Sequence, residues 1–236
     1  MSKITENVNK VVSAVIVSAG NSTRMGGINK QFLELDGAPV IANTIGIFQR
    51  CQMIDEIIVV TRESDIDEIA KLVKEYDFTK VFNIVPGGET RQLSVYEGVI
   101  ATSNIADLVV IHDGARPLVT LNVIEETIKI AAEYGAAATG VKVKDTVKVV
   151  DDNDNIIDTP DRAYMRFIQT PQVFDKKLYL DAVNIVENSK DFTDDCMLIE
   201  AFGKTVKYVD GDYENIKITT PEDIELAENY LNRRRK

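Results

Sequence analysis

Two cations set among small residues are the part of this chain best equipped for chemistry. Arg24 and Lys30 stand six residues apart in the run Ser18-Ala19-Gly20-Asn21-Ser22-Thr23-Arg24-Met25-Gly26-Gly27-Ile28-Asn29-Lys30-Gln31. Small residues let the backbone turn tightly and present N–H groups to anionic oxygens. With two cations added, the run suits a triphosphate bent around the loop, with Arg24 and Lys30 where charge builds up. Three commoner phosphate loops are excluded. Ser22 occupies the second Gly position of G-x-G-x-x-G, which also removes the kinase-type loop, and Met25 stands where G-x-x-x-x-G-K-[ST] needs its second Gly. The plainer reading is a turn made by Gly20, Gly26 and Gly27, with both cations solvated. A second cluster, His112-Asp113-Gly114-Ala115-Arg116-Pro117, holds the lone histidine beside a carboxylate.

These residues need a scaffold, and the rest of the chain alternates in a way that supplies one. Val11–Ser18 reads as a buried strand feeding the loop, because an apolar β-branched run is what a strand covered on both faces requires. Pro39 opens a helix through about Arg50, and Glu56–Thr61 is a second strand. Ser64 caps the next helix, which puts Ile66, Ile69, Ala70 and Val73 on one face. Val81–Pro86 is a third strand, Arg91–Ala101 a helix, Leu108–Ile111 a fourth strand, and Thr120 caps a helix to about Tyr134. Ala136–Val143 is the fifth strand. Such alternation implies parallel strands with crossover helices and a ligand crevice at the strands' carboxyl ends, where both the opening loop and Asp113 fall.

Beyond residue 144 the pattern changes. Asp145–Val150 and Ile156–Thr159 flank the polar turn Asp151–Asn155 and read as a protruding hairpin, an exposed edge suited to contact with a second copy. Tyr164–Gln169 returns to strand, Lys176–Asn188 and Thr193–Ala201 to helix, and Thr205–Asp210 to a last strand. Thr220-Pro221-Glu222-Asp223 opens a closing helix with Ile224, Ala227 and Leu231 on one face. The expectation is a flexible tail over residues 1–10 and one domain over 11–236.

Composition narrows the class. A net charge of −11 disfavours a general nucleic-acid binder, so an anionic substrate must meet local basic islands. Without an apolar run of membrane-spanning length or a secretory pattern, the reading is a cytoplasmic protein. Cys51 and Cys196 match neither a zinc spacing nor C-x-x-C and read as reduced thiols.

The run Ser-Ala-Gly-x-Ser-Thr-Arg-Met-Gly followed by Lys-Gln-Phe resembles the signature loop of nucleoside-triphosphate transferases that make sugar nucleotides. Seven further segments narrow the resemblance: Gly87–Ser94, His112–Pro117, Lys144–Lys148, Thr159–Arg162, Gln169–Gln172, Thr193–Asp195 and Asn215–Thr219. In that order they resemble the 2-C-methyl-D-erythritol 4-phosphate cytidylyltransferases, over roughly residues 11–232. The resemblance implies a Rossmann-like three-layer α/β/α nucleotidyltransferase fold with a mostly parallel sheet and a β-hairpin arm at about 145–160.

It also implies roles. Ser18, Ala19, Gly20, Arg24 and Lys30 would meet the phosphates and ribose of CTP, Gly88, Glu89 and Ser94 the cytosine, and Gly114 the ribose. Asp113, Arg116, Thr146, Arg162, Thr170 and Lys217 would surround the methylerythritol phosphate, with Thr146 and Arg162 reaching a neighbouring subunit through the arm of a homodimer. Arg24, Lys30 and Lys217 would be the catalytic cations. The acceptor phosphate is already anionic, so it attacks the α-phosphorus directly, and the enzyme supplies positioning and charge. Mg²⁺ is expected on the triphosphate, with Asp113 its candidate ligand. Since the nucleophile needs no deprotonation, His112 reads as structural, and Thr193-Asp194-Asp195 as a helix cap with acids in the first turn. Two alternatives stand beside this: a ribitol 5-phosphate cytidylyltransferase, and a non-catalytic nucleotide-binding module on the same fold.

Overall fold

A computed structural model of the chain describes residues 10–20, 29–186 and 192–235. The elements run β1 (Val12–Val17), β2 (Glu34–Leu35), β3 (Ala38–Pro39), α1 (Val40–Arg50), β4 (Glu56–Thr61), α2 (Ile66–Glu75), β5 (Val81–Pro86), α3 (Arg91–Ile100) and β6 (Leu108–Asp113). They continue with α4 (Leu121–Tyr134), β7 (Ala136–Lys142), β8 (Val149–Val150), β9 (Ile156–Asp158), β10 (Arg166–Asp175), α5 (Lys176–Ile185), α6 (Asp195–Ala201), β11 (Lys207–Asp210) and α7 (Glu222–Arg234).

Seven strands form one sheet in the order β11-β7-β10-β6-β1-β4-β5. β1 lies between β4 and β6, parallel to both, and β5 and β11 extend the sheet in parallel at its two edges. Each buried strand serves two cores because alternate side chains face opposite ways. Val12, Ala14 and Ile16 of β1 pack with α1, α2 and α4, while Val15 packs with α3, α5 and α6. That is the expected three-layer arrangement. A smaller cluster of Leu35, Val40, Ala115, Leu118, Ile218 and Ala227 seats α7 against the end of the sheet.

Several elements differ from the sequence reading. β10 runs antiparallel between β6 and β7 and extends to Asp175, past the expected end at Gln169. The register shifts between Ile168 and Gln172, and such an irregularity accommodates Pro171, which cannot donate to a ladder. Ser64 does not cap α2: a short helical turn, Glu63–Asp65, precedes it, and the Ser64 hydroxyl bonds Asp65 instead. The buried face of α2 is Ile69 and Leu72, with Ala70 exposed. The hairpin exists as β8 paired antiparallel with β9, shorter than expected and carrying exposed Val149, Val150, Ile156 and Ile157.

Candidate active site

The carboxyl ends of β1, β4 and β6, with the turn after β5, enclose a cleft of about 750 Å³. This is the crevice that an open parallel sheet offers to ligands. Ser18 follows β1 directly, and its backbone N–H and its hydroxyl both donate to the Val60 carbonyl at 2.7 Å. On the other side the Gly114 N–H donates to the Val17 carbonyl at 2.8 Å. The entrance to the opening loop is thereby tied to both neighbouring strands. Gly114 packs closely here: a Cβ on it would lie 2.8 Å from Ile41 Cδ1 and 3.0 Å from Ser18 Cβ, so both side chains would have to shift.

The turn between β5 and α3 closes the far wall. A Cβ on Gly87 would lie 2.4 Å from Ala19 Cβ, so only glycine lets the two loops approach this closely. Thr90 caps α3 by accepting the Leu93 N–H at 3.1 Å, and the Ser94 hydroxyl turns back to the Thr90 carbonyl at 2.9 Å. Lys30 enters from the opposite side, at the start of a short helical turn, Lys30–Phe32, capped by Asn29.

Asp113, at the end of β6, is the electrostatic centre. Its Oδ2 meets Lys217 Nζ at 3.0 Å and Arg116 Nε at 3.1 Å, and its Oδ1 lies 3.9 Å from Arg91 Nε. Burial alone would raise its pKa, but Lys217, then Arg116 and Arg91, hold it well below the usual carboxylate range. Arg116 also donates to the Asn215 carbonyl at 2.7 Å, and Asn215 Nδ2 to the Thr170 carbonyl at 2.9 Å. The Asp113 N–H donates to Thr170 Oγ1 at 3.0 Å, and Thr170 Oγ1 lies 3.1 Å from His112 Nδ1. The Arg116 carbonyl 3.2 Å from His112 Nε2 can only accept, so in the neutral ring Nε2 carries the proton and Nδ1 accepts the Thr170 hydroxyl. The imidazole is fully buried, and burial pushes its pKa down to about 4. Buried and hydrogen-bonded through both ring nitrogens, it ties the end of β6 to Thr170 and to the Arg116 backbone.

With this geometry in place, comparison with known proteins is decisive. The sequence matches the family 2-C-methyl-D-erythritol 4-phosphate cytidylyltransferase (IspD) over residues 12–233. The chain belongs to that family. A curated member from Caldanaerobacter subterraneus subsp. tengcongensis is 51% identical over 223 residues, covering 93% of this chain and 98% of the relative. One from Alkaliphilus oremlandii is 46% identical over 234 residues, with 98% of each covered. The crystal structure of 4-diphosphocytidyl-2C-methyl-D-erythritol synthase from Anaerococcus prevotii superposes with a TM-score of 0.85 at 39% identity, covering 94% of this chain and 96% of that one.

Of the residues that the family resemblance singled out, Ser18, Ala19, Gly20, Lys30, Gly88, Glu89, Ser94, Asp113 and Lys217 come together around the cleft. Gly114, Arg116 and Thr170 are not among the lining residues; they stand behind Asp113 and Ser18 and hold them. Thr146 and Arg162 are exposed on the segments flanking the arm, where Arg162 Nη1 donates to the Lys144 carbonyl at 2.7 Å, and neither lines the cleft of its own chain. Arg24 lies outside the described residues.

Sequence reasoning passed over Arg91. This residue lines the cleft, pairs with Asp195 Oδ2 at 2.7 Å and faces Asp113 from the other side. Asp194 does cap α6, accepting the Met197 N–H at 3.0 Å. Asp195 is more than a first-turn acid, because it is buried and accepts both Arg91 and the Tyr179 hydroxyl, the latter at 3.0 Å. The only signal in the sequence was the position of Arg91 between Glu89 and Ser94; nothing local joins it to Asp195.

Proposed function

We propose that the chain transfers the cytidylyl group of CTP to 2-C-methyl-D-erythritol 4-phosphate and releases pyrophosphate. The observation that carries this is the pairing, in one cleft, of a glycine-lined pocket with a carboxylate ringed by three cations. The wall from Gly87 to Ser94 carries two glycines with no side chain to fill the space, which suits a base lying against the backbone. Lys217 spends one of three N–H bonds on Asp113 and keeps others for an incoming phosphate. Asp113 thus fixes the direction of Lys217 before substrate arrives, and such preorganisation lowers the barrier without a reorganisation cost.

The bond that forms joins an acceptor phosphate oxygen to the α-phosphorus of CTP, and the bond that breaks releases pyrophosphate. The nucleophile is already anionic, so no protein base is required. The neutral, buried His112 agrees with that. Lys30 and Arg24 neutralise the charge that grows on the phosphorus oxygens and the leaving group, while Lys217 holds the acceptor in line.

Mg²⁺ would fit at one point. Among the described residues no group of three metal-ligating side chains occurs, and an ion bound with one carboxylate would take its remaining ligands from the triphosphate and water. Asp113 Oδ2 is taken by Lys217 and Arg116, whereas Oδ1 lies 3.9 Å from Arg91 Nε and would serve as the single carboxylate. Bound there, the ion would draw negative charge from the transferring phosphate.

The homodimer belongs to the same proposal. The exposed apolar side chains of β8 and β9, and the exposure of Thr146 and Arg162 outside the lining of their own cleft, support an arm that completes the site of a second copy. No described helix is long and apolar enough to cross a membrane.

The test is pyrophosphate release from each nucleoside triphosphate against methylerythritol 4-phosphate and ribitol 5-phosphate, with and without Mg²⁺. Release from CTP with methylerythritol phosphate is expected. Faster turnover with ribitol phosphate would overturn the acceptor, and CTP binding without release from either would reveal a non-catalytic module.

A further inference from the structure

Asp65 ends the turn before α2 and is not among the residues lining the cleft, yet it is only 9% exposed. Its Oδ2 accepts Asn29 Nδ2 at 2.8 Å and Arg62 Nε at 2.7 Å, and its Oδ1 accepts the Ser64 hydroxyl at 3.1 Å. Arg62 supplies the counter-charge that lets a carboxylate sit so far from water. The other end of the Asn29 amide is also engaged. Its Oδ1 accepts the Gln31 N–H at 3.2 Å and caps the turn Lys30–Phe32.

An amide held between a carboxylate and a backbone N–H has one orientation that satisfies both. The NH₂ must face Asp65 and the oxygen must face Gln31. Asp65 therefore selects the side-chain orientation of Asn29, and the cap built on that orientation sets the backbone from which Lys30 enters the cleft. We propose that Asp65 is a positioning residue for Lys30, acting through the Asn29 amide to aim the lysine at the phosphate chain of the bound nucleotide. This deepens the reading of Lys30 as a transition-state cation and rests on it. Misplacement of a catalytic group by about 1 Å can cost on the order of a hundredfold in rate, so a residue outside the cleft can matter to turnover.

The experiment compares Asp65→Ala, Asn29→Ala, the exchanged pair Asn29→Asp with Asp65→Asn, and Asp65→Ala combined with Lys30→Ala. Each is read by kcat, by KM for the acceptor, and by calorimetric binding of inorganic tripolyphosphate. The single variants should lose about tenfold or more in kcat with acceptor KM within about twofold. Asp65→Ala should cost nothing further once Lys30 is alanine. The exchanged pair, which rebuilds an amide-to-carboxylate bond in the opposite sense, should recover most of the loss, a rescue that general destabilisation would not give. Tripolyphosphate affinity should fall in Asp65→Ala only while Lys30 is present. Wild-type turnover and tripolyphosphate affinity in Asp65→Ala, an undiminished loss without Lys30, or no recovery in the exchanged pair would each overturn the proposal. A wild-type chain that never releases pyrophosphate from CTP would instead overturn the reaction, and the tripolyphosphate measurements would still decide the role of Asp65.

Discussion

Lys217 Nζ lies 3.0 Å from Asp113 Oδ2, although the two residues come from separate halves of the chain. Asp113 ends β6, and Lys217 belongs to the segment between β11 and α7. Their meeting makes the carboxylate a holder of cations and leaves the ammonium facing the cleft. Asp113→Asn should therefore lower kcat by about a hundredfold, on the scale of losing one preorganised transition-state donor. Steady-state pyrophosphate release measures this, and a change confined to CTP affinity would contradict it.

Lys30→Ala should lose at least about a hundredfold in kcat for the same reason. Single-turnover kinetics separate this loss from slow product release. Near wild-type chemistry would place the catalytic cations elsewhere.

Arg162 is exposed and does not line the cleft of its own chain, which makes a mixing test informative. Arg162→Ala should weaken acceptor binding and leave CTP binding unchanged. Co-expressed with Lys30→Ala, it should restore about a quarter of wild-type activity. In the proposed dimer half of the assemblies would be mixed, and crossed arms would leave one of their two sites intact. A purely additive mixture of two weak enzymes would show that the arm serves its own chain.

The buried His112 and Asp113 predict how stability depends on pH. The imidazole pKa falls from 6.5 to about 4 on folding, so the unfolded chain takes up the proton first. Its contribution is complete above pH 6.5 and is lost as pH falls towards 4. Asp113, also depressed, adds a loss that begins below its ordinary value of 3.8. Urea midpoints across this range should decline in two stages, and His112→Gln should flatten the upper one. An unchanged slope between pH 6.5 and 4 would assign it to other groups.

Asp195→Ala should destabilise the fold by about 3 kcal/mol, because it strands Arg91 and the buried Tyr179 hydroxyl without their acceptor. Urea denaturation monitored by circular dichroism reads this directly. A loss below about 0.5 kcal/mol would mean that Arg91 finds a new partner at little cost.

The sequence alone determined whatever depends on neighbours along the chain. Strands such as Glu56–Thr61 and Val81–Pro86 announced themselves as apolar β-branched runs, and Thr120 marked its helix start by a cap. Ordered motifs pointed to the family and to nine residues that do meet around the cleft. What needed the tertiary structure depends on contacts between distant segments. The antiparallel insertion of β10, the pairing of Arg91 with Asp195, and the retreat of Arg116 and Thr170 behind Asp113 are decided by which strand lies beside which. Periodicity carries no information about that. The same holds for the hold of Asp65 on Asn29: the two residues are 36 apart in the chain, and only the fold brings the carboxylate beside the amide that caps the turn carrying Lys30.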